Sequence, residues 1–418
     1  MYKLPDIVKK YINQHNVNPS CKIQNDRGHE PKFPTDKIID DEDFNKIVDE
    51  LSKEIFIFGL GNLRQYNFIE FKGFCKEKFL KDFKKLIKYK LDGFRISSRT
   101  KKGQNCMDYH TRHLIDKVKS CKGVSAEGVF TIENIIIALK SNRSQHSSTY
   151  VSEILRVLPG VGSGKGFSVT AYKPTMTKAI CDYFKARNVL DICIGWGGRP
   201  IGAVASGSNY TGIEPASETF KALQNICNDL EINDKVKLIN STAEIILPKL
   251  NKEYDLAITS PPYFNLEMYN DEPTQSYNKG LTYGDWKEQY LKPWVYGVLN
   301  VLVIGGVSCW SVQNINSDGN YNLYDDVVEL HKNKGWHLQK EVFCIGDKGK
   351  LPTEETFIFK KEDETIVNNE KIPINNETNT DIKLELPNKC LYCNKIIQKL
   401  LYNKYGYCSR KCKNNKIN

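Results

Sequence analysis

Short apolar runs alternate with longer amphipathic stretches from residue 188 onward. Each run is five or six residues long, and the stretches between them, of which 285–302 is the longest, repeat apolar residues at helical spacing. Strands that alternate with helices in this way predict a parallel, doubly wound α/β sheet. The predicted strands are residues 189–194, 210–214, 236–240, 255–259, 307–312, 341–345 and 356–360, of which the last two would form an antiparallel pair at the sheet edge.

The segments on either side of this pattern differ from it. Residues 1–165 contain three apolar-faced helical stretches, at 43–51, 131–140 and 151–158, and their fold stays open. Residues 361–388 are rich in Asn, Glu and Thr without apolar periodicity, which is typical of a flexible linker. We therefore divide the chain into an N-terminal mixed or helical region (1–165), an α/β domain (166–360), a linker (361–388) and a tail (389–418).

Composition places the chain among intracellular globular proteins. The 418 residues are 40% apolar and 26% charged, and no stretch approaches the roughly 20 apolar residues that span a bilayer. The N-terminus lacks the apolar segment of a secretory signal, so we expect a cytoplasmic, reducing location and no membrane partner. The 13 cysteines then favour free thiols or metal ligation over disulfides.

The net charge of +10 is concentrated in two segments. Residues 71–102 carry twelve basic and three acidic residues, and 389–418 carry eight basic residues and no acid. A single charge run is usually a solvated surface, but two runs beside a nucleotide-type domain favour a polyanionic partner.

A glycine cluster follows the first predicted strand. Gly195 and Gly197 end that strand, and Pro200 stands where the dinucleotide fingerprint requires glycine. Glu214 ends the next strand, where a carboxylate accepts hydrogen bonds from ribose hydroxyls. A nucleoside ligand without a pyrophosphate fits both features, and S-adenosylmethionine is the common one. A tight turn that binds no ligand is the alternative reading.

A Ser-Pro-Pro-Tyr sequence follows the predicted strand at 255–259. Its two prolines fix the backbone, and the loop presents a hydroxyl, carbonyl acceptors and an aromatic face at the ligand-binding edge of the sheet. Through Ser260 Oγ and the Pro261 carbonyl it would accept both N–H hydrogens of an exocyclic amine, and Tyr263 would stack on the base. Such an amine is otherwise a poor nucleophile, because its lone pair is delocalised into the ring.

Together, the glycine cluster, the acidic strand end and the Thr-Ser-Pro-Pro-Tyr sequence resemble the class I methyltransferases that methylate exocyclic amino groups of DNA bases, and residues 195–277 are similar to a bacterial and viral subgroup. The resemblance covers about residues 167–360. It implies a Rossmann-like, seven-stranded sheet, S-adenosylmethionine as cofactor, and a flipped adenine or cytosine in DNA as acceptor, methylated at N6 or N4 in a site-specific manner. By position it assigns Tyr172, Pro174, Thr175, Asp191, Gly195, Gly197, Glu214, Ser241 and Thr242 to the cofactor site, and Ser260, Pro261, Pro262 and Tyr263 to catalysis.

The chain departs from this family in two respects. Its catalytic motif begins with Ser260 rather than Asp, which leaves adenine and cytosine both open. It also lacks a large insertion for target recognition, so recognition would come from residues 1–165, from 265–286 or from the tail. RNA bases, a protein glutamine amide, or a silent module that only holds nucleic acid are the rival interpretations, and the oligomeric state stays open.

The basic tail contains four cysteines. Two pairs, spaced C-x2-C and C-x3-C and fourteen residues apart, match a tetrahedral zinc site and resemble treble-clef zinc knuckles. A 30-residue tail is too short to bury a core without such a staple. We therefore expect one structural zinc ion, with Cys390, Cys393, Cys408 and Cys412 as its ligands, and unligated thiols as the alternative.

Overall fold

The computed structural model describes most of the chain between residues 76 and 361. The predicted linker, the cysteine-rich tail and the predicted helix at 151–158 lie outside the described residues, as does most of the helix at 43–51. The described ranges are 32–34, 76–120, 123–125, 128–129, 131–143, 148–150, 169–316, 319–347 and 350–361, with isolated positions between 42 and 53.

Strands and helices alternate along the described residues, as the sequence pattern predicts. The strands are β1 (Lys32–Pro34), β2 (Arg95–Ile96), β3 (Lys119–Ser120), β4 (Ser148–Tyr150), β5 (Asn188–Asp191), β6 (Asn209–Ile213), β7 (Val236–Ile239), β8 (Tyr254–Thr259), β9 (Glu267–Met268), β10 (Leu302–Ser311), β11 (Ile315–Asn316), β12 (Asn320–Tyr321), β13 (Trp336–Ile345) and β14 (Glu354–Lys361). The α-helices are α1 (Lys76–Ile87), α2 (Gln104–Ile115), α3 (Ile132–Arg143), α4 (Pro174–Phe184), α5 (Gly198–Ala205), α6 (Ser217–Leu230), α7 (Ala243–Ile246), α8 (Tyr283–Trp286), α9 (Lys292–Val301) and α10 (Leu323–Lys332).

Eight of these strands form the main sheet of the described residues, in the order β2-β13-β14-β10-β8-β5-β6-β7. The five consecutive strands β10, β8, β5, β6 and β7, of which β7 is an edge strand, are parallel, which confirms the predicted Rossmann-like α/β fold. The helical stretch predicted at 285–302 is also present: α8 and α9 are joined by a π-helical turn at Lys287–Leu291.

The two late strands are antiparallel as predicted, but they do not form the sheet edge. β14 is inserted between β10 and β13, and β2 pairs in parallel with β13 on the outer side. The prediction missed β2 because a two-residue strand, Arg95–Ile96, leaves no periodic signal. It adds an eighth strand to the predicted seven.

Helices cover both faces of the sheet because its strands are apolar on both sides. Val189 of β5 packs into one hydrophobic core, with α1, α2, α4, α5 and α6, whereas the next residue, Leu190, packs into the other, with α9 and α10. The alternation is the two-residue period of a strand buried on both faces. Among the described residues, no helix is both long and apolar enough to cross a bilayer.

Part of the predicted N-terminal region belongs to the same body as the sheet. Phe79 and Leu86 of α1 and Met107 of α2 are buried in the core that also contains Val189. The boundary predicted at residue 165 therefore does not separate two hydrophobic cores within the described residues. This packing brings residues 97–102, between β2 and α2, to the sheet edge where the site lies.

Candidate active site

A cavity of about 670 Å³ opens at the carboxyl ends of the central strands. It is lined by Gly195 after β5, Glu214 after β6, residues 260–263 after β8, and Ser311 at the end of β10. Parallel strands point their carboxyl ends to one edge of the sheet, which is where doubly wound folds bind ligands. The glycine cluster, through Gly195 and Gly198, and the Ser-Pro-Pro-Tyr sequence therefore face one cavity.

Not every residue assigned by resemblance lines this cavity. Pro174 and Thr175 lie in the buried first turn of α4. Gly197 precedes α5 with φ 89°, and Asp191 is buried at the end of β5. The cavity lining includes Tyr172, Gly195, Glu214, Thr242, Ser260, Pro261, Pro262 and Tyr263, but not Pro174, Thr175, Asp191, Gly197 or Ser241.

The glycine loop, residues 195–198, leaves space at the backbone. Gly195 has φ 60°, and a Cβ built on it would meet no atom within 4 Å, so a side chain there would project into open space. Gly198 is different, because its Cβ would lie 1.9 Å from the carbonyl oxygen of Tyr172. Gly198 thus allows the segment before α4 to pack closely against α5, and Gly195 allows a ligand to approach the loop.

Asp191 holds the glycine loop in this shape. Its carboxylate accepts hydrogen bonds from Arg199 Nε at 2.5 Å, from the Tyr210 hydroxyl at 2.5 Å and from the backbone N–H of Cys193 at 3.1 Å. Arg199 also donates to the Cys193 carbonyl, so further hydrogen bonds satisfy the polar atoms of the buried Asp191–Arg199 ion pair. Asp191 acts on the cavity through the loop that it positions.

Glu214 joins β6 to the glycine loop. One of its carboxylate oxygens accepts from the N–H of Gly195 at 3.0 Å, and the other accepts from the N–H of Ala216 at 2.9 Å. Burial raises the pKa of Glu214 to about 7, against the opposing effect of these two donors. Since each carboxylate oxygen accepts two bonds, the side chain retains acceptor capacity towards the cavity.

The Ser-Pro-Pro-Tyr loop, residues 260–263, is held at its C-terminal end by Tyr263 and by the residue that follows it. The Tyr263 hydroxyl donates to the carbonyl of Ser311 at 3.3 Å, and burial raises its pKa, with Glu354 and Glu267 acting in the same direction. The next residue, Phe264, adopts the left-handed φ of 50°, which costs a non-glycine residue on the order of 1 kcal/mol. Its ring packs against three aromatic rings, those of Tyr283, Trp286 and Tyr321, which hold it in place.

Residues that the sequence interpretation missed complete the cavity. Trp196 and Tyr269 line it with ring centroids 5.8 Å apart, and Glu267 accepts a hydrogen bond from the Tyr269 hydroxyl. The segment 265–286, predicted as a recognition candidate, therefore forms part of the wall. Glu354, the first residue of β14, also lines the cavity, although nothing in the local sequence indicates that it belongs to a site.

Several polar atoms at the cavity have no partner within the described residues. The hydroxyls of Thr242 and Ser276 and the side-chain nitrogen of Gln275 are buried and make no hydrogen bond there. Unpaired buried polar groups cost about 1–3 kcal/mol each, so a polar ligand in the cavity would stabilise them. Together with the open space at Gly195, these atoms fit a nucleoside-sized polar ligand.

The described residues contain no group of three or more His, Cys, Asp or Glu side chains arranged to hold a metal ion. The four cysteines of the predicted zinc site lie outside those residues. The zinc site therefore stays a prediction from the sequence.

No protein-family model and no curated protein matches the chain. Solved structures are similar to part of it: TrmN from Thermus thermophilus (14% identity over 45% of this chain and 49% of that chain, TM-score 0.33), NSun6 from Pyrococcus horikoshii with SFG (16%, 45% and 51%, 0.34), and precorrin-6y C5,15-methyltransferase from Geobacter metallireducens GS-15 (15%, 46% and 94%, 0.32). The chain spans about half the length of the TrmN and NSun6 chains that it matches.

Proposed function

We propose that this protein is an S-adenosylmethionine-dependent methyltransferase that methylates an exocyclic amino group, adenine N6 or cytosine N4, in DNA. The supporting observation is that one cavity is lined both by a glycine loop with a carboxylate at the next strand end and by the Ser-Pro-Pro-Tyr loop. The glycine loop and Glu214 suit a nucleoside cofactor, and the Ser-Pro-Pro-Tyr loop suits a planar amine. A shared cavity brings donor and acceptor into reacting distance.

Gly195, Glu214 and Thr242 are the residues that would hold the cofactor. Gly195 leaves space against the backbone, Glu214 has acceptor capacity for ribose hydroxyls, and the Thr242 hydroxyl lacks a partner among the described residues. When bound, S-adenosylmethionine supplies an electrophilic methyl group on a sulfonium. We assign Asp191 a positioning role, because its three hydrogen bonds fix the loop that contains Gly195.

The Ser-Pro-Pro-Tyr loop would prepare the amine. Ser260 Oγ and the Pro261 carbonyl accept the two N–H hydrogens, which favours a pyramidal nitrogen with an available lone pair. Tyr263 stacks on the base, which must leave the duplex because its amine is inaccessible inside the helix. With S-adenosylmethionine held at Gly195, Glu214 and Thr242, the cofactor would supply its sulfonium methyl group to this nitrogen and leave as a neutral thioether, and the amine would lose one proton to solvent.

A basic loop at the cavity mouth supports a nucleic acid as substrate. Residues 97–102 expose Arg99, Lys101 and Lys102 to solvent, and Ser98 of the same loop lines the cavity. Phosphates that flank an extruded base would meet these cations.

Hydrogen bonds to other elements hold the basic loop. The hydroxyls of Ser97 and Ser98 donate to Asp347 Oδ1 at 3.3 and 3.0 Å. Lys173 Nζ donates to the carbonyls of Ser98 and Thr100 at 2.6 and 2.9 Å. These hydrogen bonds hold the loop against the end of β13 and the start of α4. The segment that carries the basic side chains is therefore already positioned before nucleic acid binds.

Replacing Arg99 and Lys101 together by Ser is expected to weaken DNA binding and to reduce its dependence on salt. The slope of log K against log salt should shrink by about 0.9 for each phosphate that the variant no longer neutralises. Fluorescence anisotropy over a salt series measures both effects. Lys249→Ser with Lys252→Ser is the matched control, because both lysines are exposed and lie outside the cavity lining and outside the basic run at 71–102. Equal slopes for the two double variants would contradict a role for the basic loop.

The cysteine-rich tail gives a separate prediction. Metal analysis of the intact protein should find about one zinc ion per chain, because four thiolates complete a tetrahedral site. Cys393→Ser should release it, whereas Cys227→Ser, at a buried thiol of α6, should not. A metal-free intact chain would leave the tail without its predicted zinc knuckle.

Incorporation of a labelled methyl group tests the proposed function. Equal amounts of DNA, RNA and protein extract are each incubated with the enzyme and labelled S-adenosylmethionine, and we expect the label in DNA. Label in RNA or in a protein amide would identify that molecule as the methyl acceptor and contradict the proposal that DNA is methylated. Absence of cofactor binding by calorimetry would leave a module that only holds nucleic acid.

A further inference from the structure

A carboxylate without an assigned role lines the cavity beside the Ser-Pro-Pro-Tyr loop. Glu354 is half-buried at the start of β14, and among the described residues the polar contact of its carboxyl group is a long one, 3.4 Å between Oε1 and Ser311 Oγ. Within the described part of the chain, no lysine or arginine nitrogen lies within ion-pair distance of it. Burying an ionised carboxylate without an ion-pair partner costs free energy. A carboxyl group that faces a cavity in this state is therefore a candidate functional group.

Ser311 connects Glu354 with the predicted platform for the base. The Ser311 hydroxyl lies 3.4 Å from Glu354 Oε1 and donates at the shorter distance of 3.1 Å to the Glu355 carbonyl, and the Ser311 carbonyl accepts from the Tyr263 hydroxyl at 3.3 Å. The two side chains are therefore neighbours on one wall, and the charge of Glu354 raises the pKa of Tyr263. A base stacked on Tyr263 would present one of its edges to Glu354.

The charged groups around Glu354 leave it able to carry a proton near neutral pH. Burial raises the pKa of Glu354 to about 7, while Arg199, Ser311 and Lys173 act in the opposite direction. Arg199 is bound to Asp191, and Lys173 Nζ is bound to two carbonyls of the basic loop, so neither cation pairs with Glu354. A protonated carboxyl group provides an O–H donor on this wall of carbonyl and carboxylate acceptors.

That donor complements the part of the base that the Ser-Pro-Pro-Tyr loop does not bind. Beside the exocyclic amine, adenine has the acceptor N1 and cytosine has the acceptor N3, whereas guanine and thymine carry an N–H at the equivalent ring position. Ser260 and Pro261 would accept from the amine and leave this ring nitrogen unpaired. A donor at that point would admit adenine or cytosine and reject guanine and thymine.

We propose that Glu354 is a specificity-determining residue that donates its carboxyl O–H to the ring nitrogen next to the target amine. This inference rests on the proposed function. It assigns selection of the base to β14 of the sheet itself, although recognition of the surrounding sequence would need other segments. Glu354→Gln retains a donor that cannot ionise, and Glu354→Ala removes the donor.

The test is the pH dependence of kcat/KM for mixed-sequence duplex DNA at saturating cofactor. Above its free-enzyme pKa of about 7, the parent should lose about tenfold per pH unit, because the protonated fraction falls by that factor. Glu354→Gln should abolish this decline, and Glu354→Ala should lower kcat/KM at least about tenfold at about pH 6, where the parent carries the proton. Glu341→Gln, on the exposed part of β13, is the control and should follow the parent.

A second measurement uses DNA whose methylated base lacks the ring acceptor, 1-deazaadenine or 3-deazacytosine. The parent should lose at least about tenfold on the analogue, and Glu354→Ala should lose little more than it has already lost. Equal analogue penalties in parent and Glu354→Ala, or a Glu354→Gln profile that declines like the parent, would overturn the inference. The proposed function fails separately, through a parent enzyme that methylates no DNA at any pH.

Discussion

Tyr263→Ala is expected to lower kcat/KM for DNA strongly while leaving cofactor affinity nearly unchanged. Base–aromatic stacking is worth about 1–3 kcal/mol, which corresponds to about 5- to 150-fold in rate. The Tyr263 side chain lines the cavity and packs against the hydrophobic core that contains Leu190, and in the described part of the chain no aromatic ring packs on it. Steady-state methylation assays and calorimetry with S-adenosylmethionine measure the two quantities separately.

Two comparisons sharpen this result. Tyr263→Phe keeps the ring and removes the hydroxyl, with its hydrogen bonds to the Ser311 carbonyl and the Ser260 side chain, so its effect on kcat/KM should be smaller. Tyr183→Ala, at an exposed tyrosine of α4 outside the cavity, controls for the removal of an aromatic side chain. If Tyr263→Ala methylates as fast as the parent on every substrate that the parent modifies, the assignment of this loop is wrong.

Glu214→Ala is expected to weaken S-adenosylmethionine binding by about 1.5–3 kcal/mol, the range for hydrogen bonds to a charged group. The weakening has two sources: the ribose loses its acceptor, and the N–H groups of Gly195 and Ala216 lose theirs. Titration calorimetry measures it, and Glu218→Ala, at an exposed position of α6, is the control. An unchanged dissociation constant would place the cofactor elsewhere.

Cofactor binding should also depend on pH through Glu214. Its pKa of about 7 means that the carboxylate becomes ionised as pH rises through neutrality, and the ionised form accepts from ribose hydroxyls more strongly. Affinity should therefore rise with pH in the parent and lose this dependence in Glu214→Gln. The raised pKa of Glu214 also affects stability. Because the native state binds this proton more tightly than the unfolded state, the free energy of unfolding should fall as pH rises from about 4.5 to 7.

The strands and both loops were predictable because their signals are local. β8 is a short apolar run followed directly by Ser-Pro-Pro, and its end was predicted correctly, whereas β5 ends at Asp191, three residues before the end predicted from the apolar run at 189–194. Their meeting at one cavity follows from the rule for parallel sheets.

The remaining features depend on contacts between distant residues. Glu354 reaches the cavity because β14 pairs antiparallel with β10, where Ser311 lies opposite Thr356. The two residues are far apart along the chain, so no local pattern relates them. The burial of Asp191 likewise depends on Arg199 folding back across the glycine loop and on Tyr210 from the neighbouring strand. A strand-end aspartate in isolation gives no indication of whether it faces a ligand or an arginine.

Identification of the product nucleoside tests the central claim most directly. Mixed-sequence DNA is incubated with the protein and isotopically labelled S-adenosylmethionine, digested to nucleosides and separated by mass spectrometry, with Tyr263→Ala protein as the matched control. We expect labelled N6-methyladenine or N4-methylcytosine from the parent, and much less from the variant. Label in 5-methylcytosine, or no labelled nucleoside although the cofactor binds, would contradict amino methylation of DNA by this cavity.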